Sequence, residues 1–243
     1  MTPHPGLVLA IGFAAETVRE SSPFVHCVAP RAATSFVADV LYGAGARSVI
    51  TGTTADALAA ADSADAVMFD LGTLTSEWSD AINPTLAAVR QAEVPWVLDA
   101  TPIGRLPLRV DRVRTLLGHR PSVVRAATAE LDGGRLDAGV GALAIGEPLA
   151  ETVFVDGEAI GVPLGSPLLA QVPGVRSAVT ALVAACAAVA GPAEAALCGA
   201  AWVALASERA AGQGRGPASF RVALIDELAL VRGDEIAEYL HLG

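Results

Sequence analysis

Two hydrophobic periods alternate along this chain. Leu7, Ile11, Ala15 and Val18 recur at helical spacing and stop at Ser21-Ser22-Pro23, after which Phe24-Val25-His26-Cys27-Val28 reads as a buried strand. A helix is predicted over residues 31–41, with Phe36, Val37, Val40 and Leu41 inward and Gly43 as the residue just past its end. Short apolar strands are predicted at Ser48-Val49-Ile50, Ala66-Val67-Met68-Phe69, Trp96-Val97-Leu98, Val123-Val124 and Ala142-Leu143-Ala144-Ile145, with helical stretches between most of them, clearest at residues 79–91 and 110–117. Alternation of this kind predicts an α/β fold with a mainly parallel sheet covered on both faces. Beyond it, Val153-Phe154-Val155 and Ala159-Ile160-Gly161-Val162 flank Asp156-Gly157, a hairpin signal, and the C-terminal third is helical.

Composition narrows the class. The 243 residues suffice for one large α/β domain spanning 1–243, and no Pro/Gly/Ser-rich linker or charge run divides them. The hydrophobic fraction is 53%, but its longest block, residues 178–190, ends at Gly191-Pro192, well short of the roughly 20 residues a bilayer span needs. That block and the next, residues 195–206, are expected to be buried helices rather than membrane segments. The start, Met1-Thr2-Pro3-His4-Pro5, lacks the basic region of a signal peptide, so a cytoplasmic protein is expected. A net charge of −10 speaks against nucleic acid or an anionic membrane as partner. All 16 basic residues are Arg, which removes Schiff-base chemistry. Cys27, Cys186 and Cys198 show no metal-ligand spacing.

In open parallel sheets, ligands sit beyond the C-terminal ends of the strands. The polar residues to weigh there are Asp70, Asp99, Arg125 and, five residues on, Glu130. Each alone reads as readily as a cap or a satisfied buried charge; together, at successive strand ends, they favour a site. Position leaves the chemistry open.

Longer motifs carry a family resemblance. Pro23-Phe24-Val25-His26, then Ser35-Phe36-Val37-Ala38 and Leu41-Tyr42-Gly43-Ala44-Gly45-Ala46, resemble P-L-V-H-x-I-T-N, N-F-x-A and L-L-A-L-G-A-S of the hydroxyethylthiazole kinase family, thiamine-salvage enzymes of the ribokinase-like superfamily. Leu71-Gly72-Thr73-Leu74 resembles N-I-G-T-L; Val97-Leu98-Asp99 and Leu106-Pro107-Leu108-Arg109 resemble parts of V-L-D-P-V-G-A-G-A-T-P-F-R; residues 124–131 resemble I-R-G-N-A-x-E-I; and Arg215-Gly216-Pro217-Ala218-Ser219-Phe220 resembles K-G-P-G-S-F. The resemblance implies a three-layer ribokinase-like fold, Mg2+ and ATP as co-reactants, a small-molecule substrate, and a homotrimer with sites between subunits. It places His26, Cys27, Asp70, Gly72 and Thr73 at the substrate, Arg125 and Gly174 at the nucleotide, Asp99 and Glu130 at the metal, and Ser177 at the reacting groups, where the charge of Arg176 makes it a further candidate.

Departures from the family pattern gather where the chemistry lies. Its phosphate loop, V-T-G-T/A-G-C at a helix N-terminus, is here Val172-Pro173-Gly174-Val175-Arg176-Ser177, and only Gly174 of the phosphate-cradling glycines survives. The I-T-N segment is Val28-Ala29-Pro30, Ala127 replaces an Asn, and Pro102 and Arg105 replace small residues. Ile145-Gly146-Glu147 lacks the family's threonine, and residues 130–139 are too few for the helix expected there. Ser177 stands where the family has a Cys or Asp base, and a serine hydroxyl stays protonated near neutral pH. Three readings follow: a divergent member with weak or absent kinase activity that keeps a pocket for a thiazole-like or other heteroaromatic metabolite, an active kinase with Arg176 clamping phosphate, and a non-catalytic subunit that assembles with a paralogue.

Overall fold

The computed structural model describes residues 4–29, 32–51, 53–72, 76–101, 107–127, 142–146, 151–155 and 158–242. The chain opens with α1 (Pro5–Ser21), whose N-cap His4 accepts from the Gly6 N–H through its ring nitrogen while Pro5 sits in the first turn. Strands and helices then alternate: β1 (Phe24–Val28), α2 (Thr34–Gly43), β2 (Arg47–Ile50), α3 (Thr54–Ala61), β3 (Ala66–Asp70), α4 (Ser76–Gln91), β4 (Trp96–Asp99), α5 (Pro107–Leu117), β5 (Val123–Ala126) and β6 (Ala142–Gly146). A hairpin pair, β7 (Glu151–Val155) and β8 (Glu158–Val162), and a 3-10 turn (Pro167–Gln171) lead to four helices: α6 (Val175–Ala187), α7 (Pro192–Ala211), α8 (Pro217–Leu230) and α9 (Gly233–Leu242).

The strands form one sheet in the order β2-β1-β3-β4-β5-β6-β7-β8. Pairings from β2 through β6 are parallel; β6–β7 and β7–β8 are antiparallel. The pleat sends alternate side chains to opposite faces. Cys27, Met68, Val97 and Val123 pack beneath α1, α2 and α6 to α9, while Val67, Phe69, Leu98 and Val124 pack against α3, α4 and α5. Helices on both faces leave the parallel strands buried on each side, which is why their sequences are near-continuous apolar runs rather than alternating ones. The expected three-layer, mainly parallel α/β architecture is therefore the one observed.

Several boundaries differ from expectation. α2 runs through Gly43, and the left-handed glycine that follows is Gly45 (φ 90°). α3 carries a buried stripe of alanines only, Ala57, Ala60 and Ala61, too weak to stand out as a hydrophobic period; its start is marked instead by Thr53, which accepts from the Asp56 N–H. The Asp156-Gly157 turn lies outside the described residues, although the antiparallel strands it joins are present.

The apolar block at residues 178–190 begins earlier than the period suggests, at Val175, and is buried from Ser177 to Ala187. It crosses the sheet with α7 laid against it, and their approach depends on Gly199. A Cβ there would lie 2.6 Å from Val183 Cγ2 and 2.9 Å from its backbone N and Cα. Gly199→Ala is expected to destabilise by about 1–3 kcal/mol through overpacking, exceeding the roughly 1 kcal/mol gain in helix propensity. Urea unfolding measures the sum; a variant as stable as the wild type would show that α6 and α7 separate without cost.

Candidate ligand cavity at the carboxyl ends of the sheet

The register of three strands builds the floor of the site. Asp70 on β3 lies opposite Asp99 on β4, and Asp99 lies opposite Arg125 on β5. Each stands two residues beyond an apolar residue of the α6 face, Met68, Val97 and Val123, so all three side chains project to that face as a row at the carboxyl edge. They are 2%, 1% and 4% exposed. Charges buried this deeply need partners, and α6 supplies them from its first turns. Ser177 and Thr180, three apart on one face of the helix, descend onto the row.

The resulting network is dense. Ser177 Oγ donates to Asp70 Oδ2 at 2.5 Å, and the Gly72 N–H donates to Asp70 Oδ1 at 2.7 Å. Asp99 Oδ1 accepts from the backbone and hydroxyl of Thr101 at 2.9 and 2.5 Å, and Asp99 Oδ2 accepts from Thr180 at 2.7 Å. The Arg125 guanidinium donates to the Arg176 carbonyl at 2.9 Å, to Thr180 at 3.1 Å and to Glu151 on β7, and stands 3.6 Å from Asp99. Burial works against its charge, but Glu151 and Asp99 more than offset it and raise its pKa. The Asp70 carboxyl is pushed up to about 7, chiefly by burial and then by the neighbouring Asp99; the bonds from Ser177 and Gly72 and the charge of Arg125 act against the rise.

Above this floor is a cavity of about 450 Å³. Its polar wall holds Asp70, Gly72, Asp99, Arg125 and Glu151; the start of α6 from Gly174 to Ser177 forms a second side, and Ala200, Val203 and Ala204 of α7 an apolar third. Gly174 is the N-cap of α6 at φ 85°, a conformation that glycine adopts without a Cβ penalty. The positive end of the helix dipole therefore faces the cavity, a seat for negative charge.

Of the residues anticipated for the site, Asp70, Gly72, Asp99, Arg125, Gly174, Arg176 and Ser177 line this one cavity. His26 and Cys27 are not among its lining residues. His26 is buried on the face of β1 opposite Cys27 and pairs through Nε2 with Thr51 Oγ1 at 2.9 Å; burial lowers its pKa to about 4. Cys27 is buried on the cavity face of the sheet, where burial and then the charge of Asp70 push its thiol up to about 12. Thr73 and Glu130 lie outside the described residues, as do residues 130–139, the substituted positions Pro30, Pro102 and Arg105, and Glu147. Among the described residues there is no group of three or more His, Cys, Asp or Glu able to hold a metal ion, and no helix is long and apolar enough to cross a membrane.

Three participants escaped sequence reasoning. Thr101 was signalled by its place two residues after Asp99, the same spacing as Gly72 after Asp70, where a carboxylate accepts from the backbone two residues on. Thr180 was signalled by helical spacing from Ser177. Glu151 carried no local signal, because only the antiparallel return of β7 beside β6 brings it to Arg125.

A mainly parallel sheet between helical layers, with a cavity where the strands end against a helix N-terminus, is a three-layer α/β fold, and superposition shows it to be ribokinase-like. A ribokinase-like superfamily protein from Enterococcus faecalis superposes with a TM-score of 0.61 at 13% identity, covering 88% of this chain and 89% of that one. A hydroxyethylthiazole kinase protein from Pyrococcus horikoshii superposes with a TM-score of 0.84 at 25% identity, covering 91% of this chain and 93% of that one. In sequence, a hydroxyethylthiazole kinase from Escherichia coli is 33% identical over 234 residues, 86% of this chain and 89% of the relative. Residues 15–134 and 150–234 match the model of the hydroxyethylthiazole kinase family, and the chain belongs to that family.

The two perturbed groups make opposite contributions to stability against pH. Asp70 has a folded pKa of about 7 against an ordinary 3.8, so its contribution is full below about 3.8 and is lost as pH rises through 7. His26, at about 4 against 6.5, contributes fully above 6.5 and loses that contribution as pH falls through 4. Asp70→Asn removes the first and leaves the second. The stability of the variant relative to wild type is therefore expected to grow between about pH 4 and about pH 7 in urea titrations, with Ser177, Asp99, Arg125 and Cys27 unchanged around it. A difference that is flat with pH would mean that Asp70 is ionised throughout.

Proposed function

We propose that this chain is a cytoplasmic, hydroxyethylthiazole-kinase-like protein that holds a small hydroxylated heteroaromatic, thiazole-like or related, and transfers phosphoryl groups from ATP weakly or not at all. The observation that carries this reading is the cavity itself. Its apolar α7 wall suits a ring, its carboxylates suit a hydroxyl, and its α6 end has been altered from the family's phosphate loop. Pro173 offers no N–H, Val175 and Arg176 stand where the family has small residues, and Arg125 is engaged by Glu151, Asp99 and the Arg176 carbonyl. Missing donors at such a seat typically cost on the order of 10²–10³ in rate each.

The donor set bears on magnesium and nucleotide differently. The helix terminus with Arg176 fits the anionic phosphates, whereas Asp99 accepts from both Thr101 and Thr180, and Glu130 is the remaining family ligand. Magnesium, when bound with the nucleotide, screens phosphate charge. The described residues do not by themselves furnish its site.

Purified protein is expected to phosphorylate hydroxyethylthiazole near background at millimolar Mg-ATP, while hydroxyethylthiazole alone raises the melting temperature. Replacing Pro173, Val175, Arg176 and Ser177 by Thr, Thr, Gly and Cys together, with Ala127→Asn, is the smallest change expected to yield measurable turnover, because groups acting as a unit are not additive. Robust wild-type activity that collapses on Arg176→Ala would overturn weak transfer and establish Arg176 as the phosphate clamp.

The same reading includes assembly as a homotrimer, or with a paralogue, whose contacts complete the pocket. Exposed apolar side chains such as Leu9 and Phe13 on α1 and Tyr42 on α2 offer surface for such contacts. Light scattering is expected to report about three chains per particle. A stable monomer at micromolar concentration would remove the assembly from the proposal.

A further inference from the structure

The two carboxylates of the cavity floor are held in different ways. Asp99 is largely spent: three hydrogen bonds, from Thr101 twice and from Thr180, and the Arg125 guanidinium at 3.6 Å occupy its oxygens. Among the described residues, Asp70 accepts one hydrogen bond at each oxygen, from Gly72 and from Ser177. A carboxylate oxygen can accept two, so Asp70 keeps acceptor capacity on the wall of the cavity. Among the described residues it has no salt bridge, because Arg125 pairs with Asp99 and Glu151.

The direction of the bond between Asp70 and Ser177 assigns their roles. The Ser177 hydroxyl donates a hydrogen bond to Asp70 Oδ2 across 2.5 Å, so the serine is the donor of the pair and the aspartate the acceptor. Ser177 is also the third residue of α6, whose N-terminal residues from Gly174 to Ser177 line the cavity with the positive end of the helix dipole. A proton acceptor and a seat for negative charge are thus adjacent, the geometry that moves a proton off an oxygen while phosphoryl charge is held beside it.

We propose that Asp70 is the catalytic proton acceptor for the hydroxyl of the cavity ligand, and that Ser177 is the residue that positions it. The inference rests on the pocket reading above and names the group that performs whatever transfer the site retains. With a nucleoside triphosphate as phosphoryl donor, the ligand oxygen forms the new O–P bond. The bond from the terminal phosphorus to the bridging oxygen breaks, its electron pair leaves on the nucleoside diphosphate, and the hydroxyl proton passes to Asp70 Oδ2. The acceptor has moved from the helix, where Ser177 cannot serve, to the end of the neighbouring strand.

Single-turnover transfer from γ-labelled ATP to hydroxyethylthiazole with enzyme in excess over label, which reads weak transfer that multiple turnover leaves near background, together with calorimetric titration of hydroxyethylthiazole alone, tests the assignment. Asp70→Asn, isosteric and relieved of a buried charge, is expected to lose at least about 100-fold of the wild-type rate while its Kd for hydroxyethylthiazole stays within about threefold. Ser177→Ala is expected to lose no more than about tenfold. The double variant Asp70→Asn/Ser177→Asp carries the carboxylate to the other side of the same contact, and is expected to regain at least about tenfold over Asp70→Asn. Equal rates in wild type and Asp70→Asn, including no transfer in either, overturn the proposal, as does a double variant no faster than Asp70→Asn. Failure of wild type to bind hydroxyethylthiazole in the titration instead overturns the pocket reading, and this inference with it.

Discussion

The Arg125 guanidinium is buried where the sheet meets the first turns of α6. It projects from β5, pairs with Glu151 on β7, faces Asp99 on β4, and donates to Thr180 and to the Arg176 carbonyl on α6. A charge in such surroundings is tolerable only while its partners remain, since removing one side of a buried pair leaves the other uncompensated at a cost of several kcal/mol. A single side chain therefore bonds at once to the parallel strands, their antiparallel extension and the cavity-facing helix. The position of the α6 N-terminus over the strand ends, and hence the shape of the cavity, depends on that anchor.

The second constraint is steric. Small residues on α6 and α7 let the two helices approach until Gly199 meets the Val183 backbone, which sets how far the apolar α7 wall stands from the polar floor. α1 is tied to the same layer through Arg19, which lies over the Trp202 ring at 4.4 Å and donates to the Leu228 and Val231 carbonyls. The layer behind the cavity is thus closely packed, and the polar groups are concentrated in the few residues that the strand ends and the first turns of α6 present to it.

These constraints also separate the two acidic residues of the floor. Both end parallel strands and both accept from the backbone two residues on, yet Asp99 is drawn into the Arg125 network and Asp70 is not. The difference is one strand of lateral position, about 4.8 Å. At such spacing the charge of Asp99 adds to burial in raising the pKa of Asp70, which the more distant Arg125 only partly offsets.

Much of the fold was legible in the sequence because it is carried by local signals. Apolar runs of strand length, helical periods and the order in which they alternate are properties of neighbouring residues, and they determined a parallel sheet covered on both faces, the helical C-terminal third and the burial of α6. The motifs from Ser22 to Leu228 determined the family, and strand-end position singled out Asp70, Asp99 and Arg125. Elements without a strong period, such as the alanine stripe of α3, were not visible. What only the tertiary structure decided is which groups meet. Register set Asp70, Asp99 and Arg125 side by side, the return of β7 brought Glu151 to Arg125 from 26 residues away, and the docking of α6 laid Ser177 against Asp70 across a separation of 107 residues. Such contacts arise from the closing of the sheet and the packing of helices on it, and no stretch of neighbouring residues encodes them.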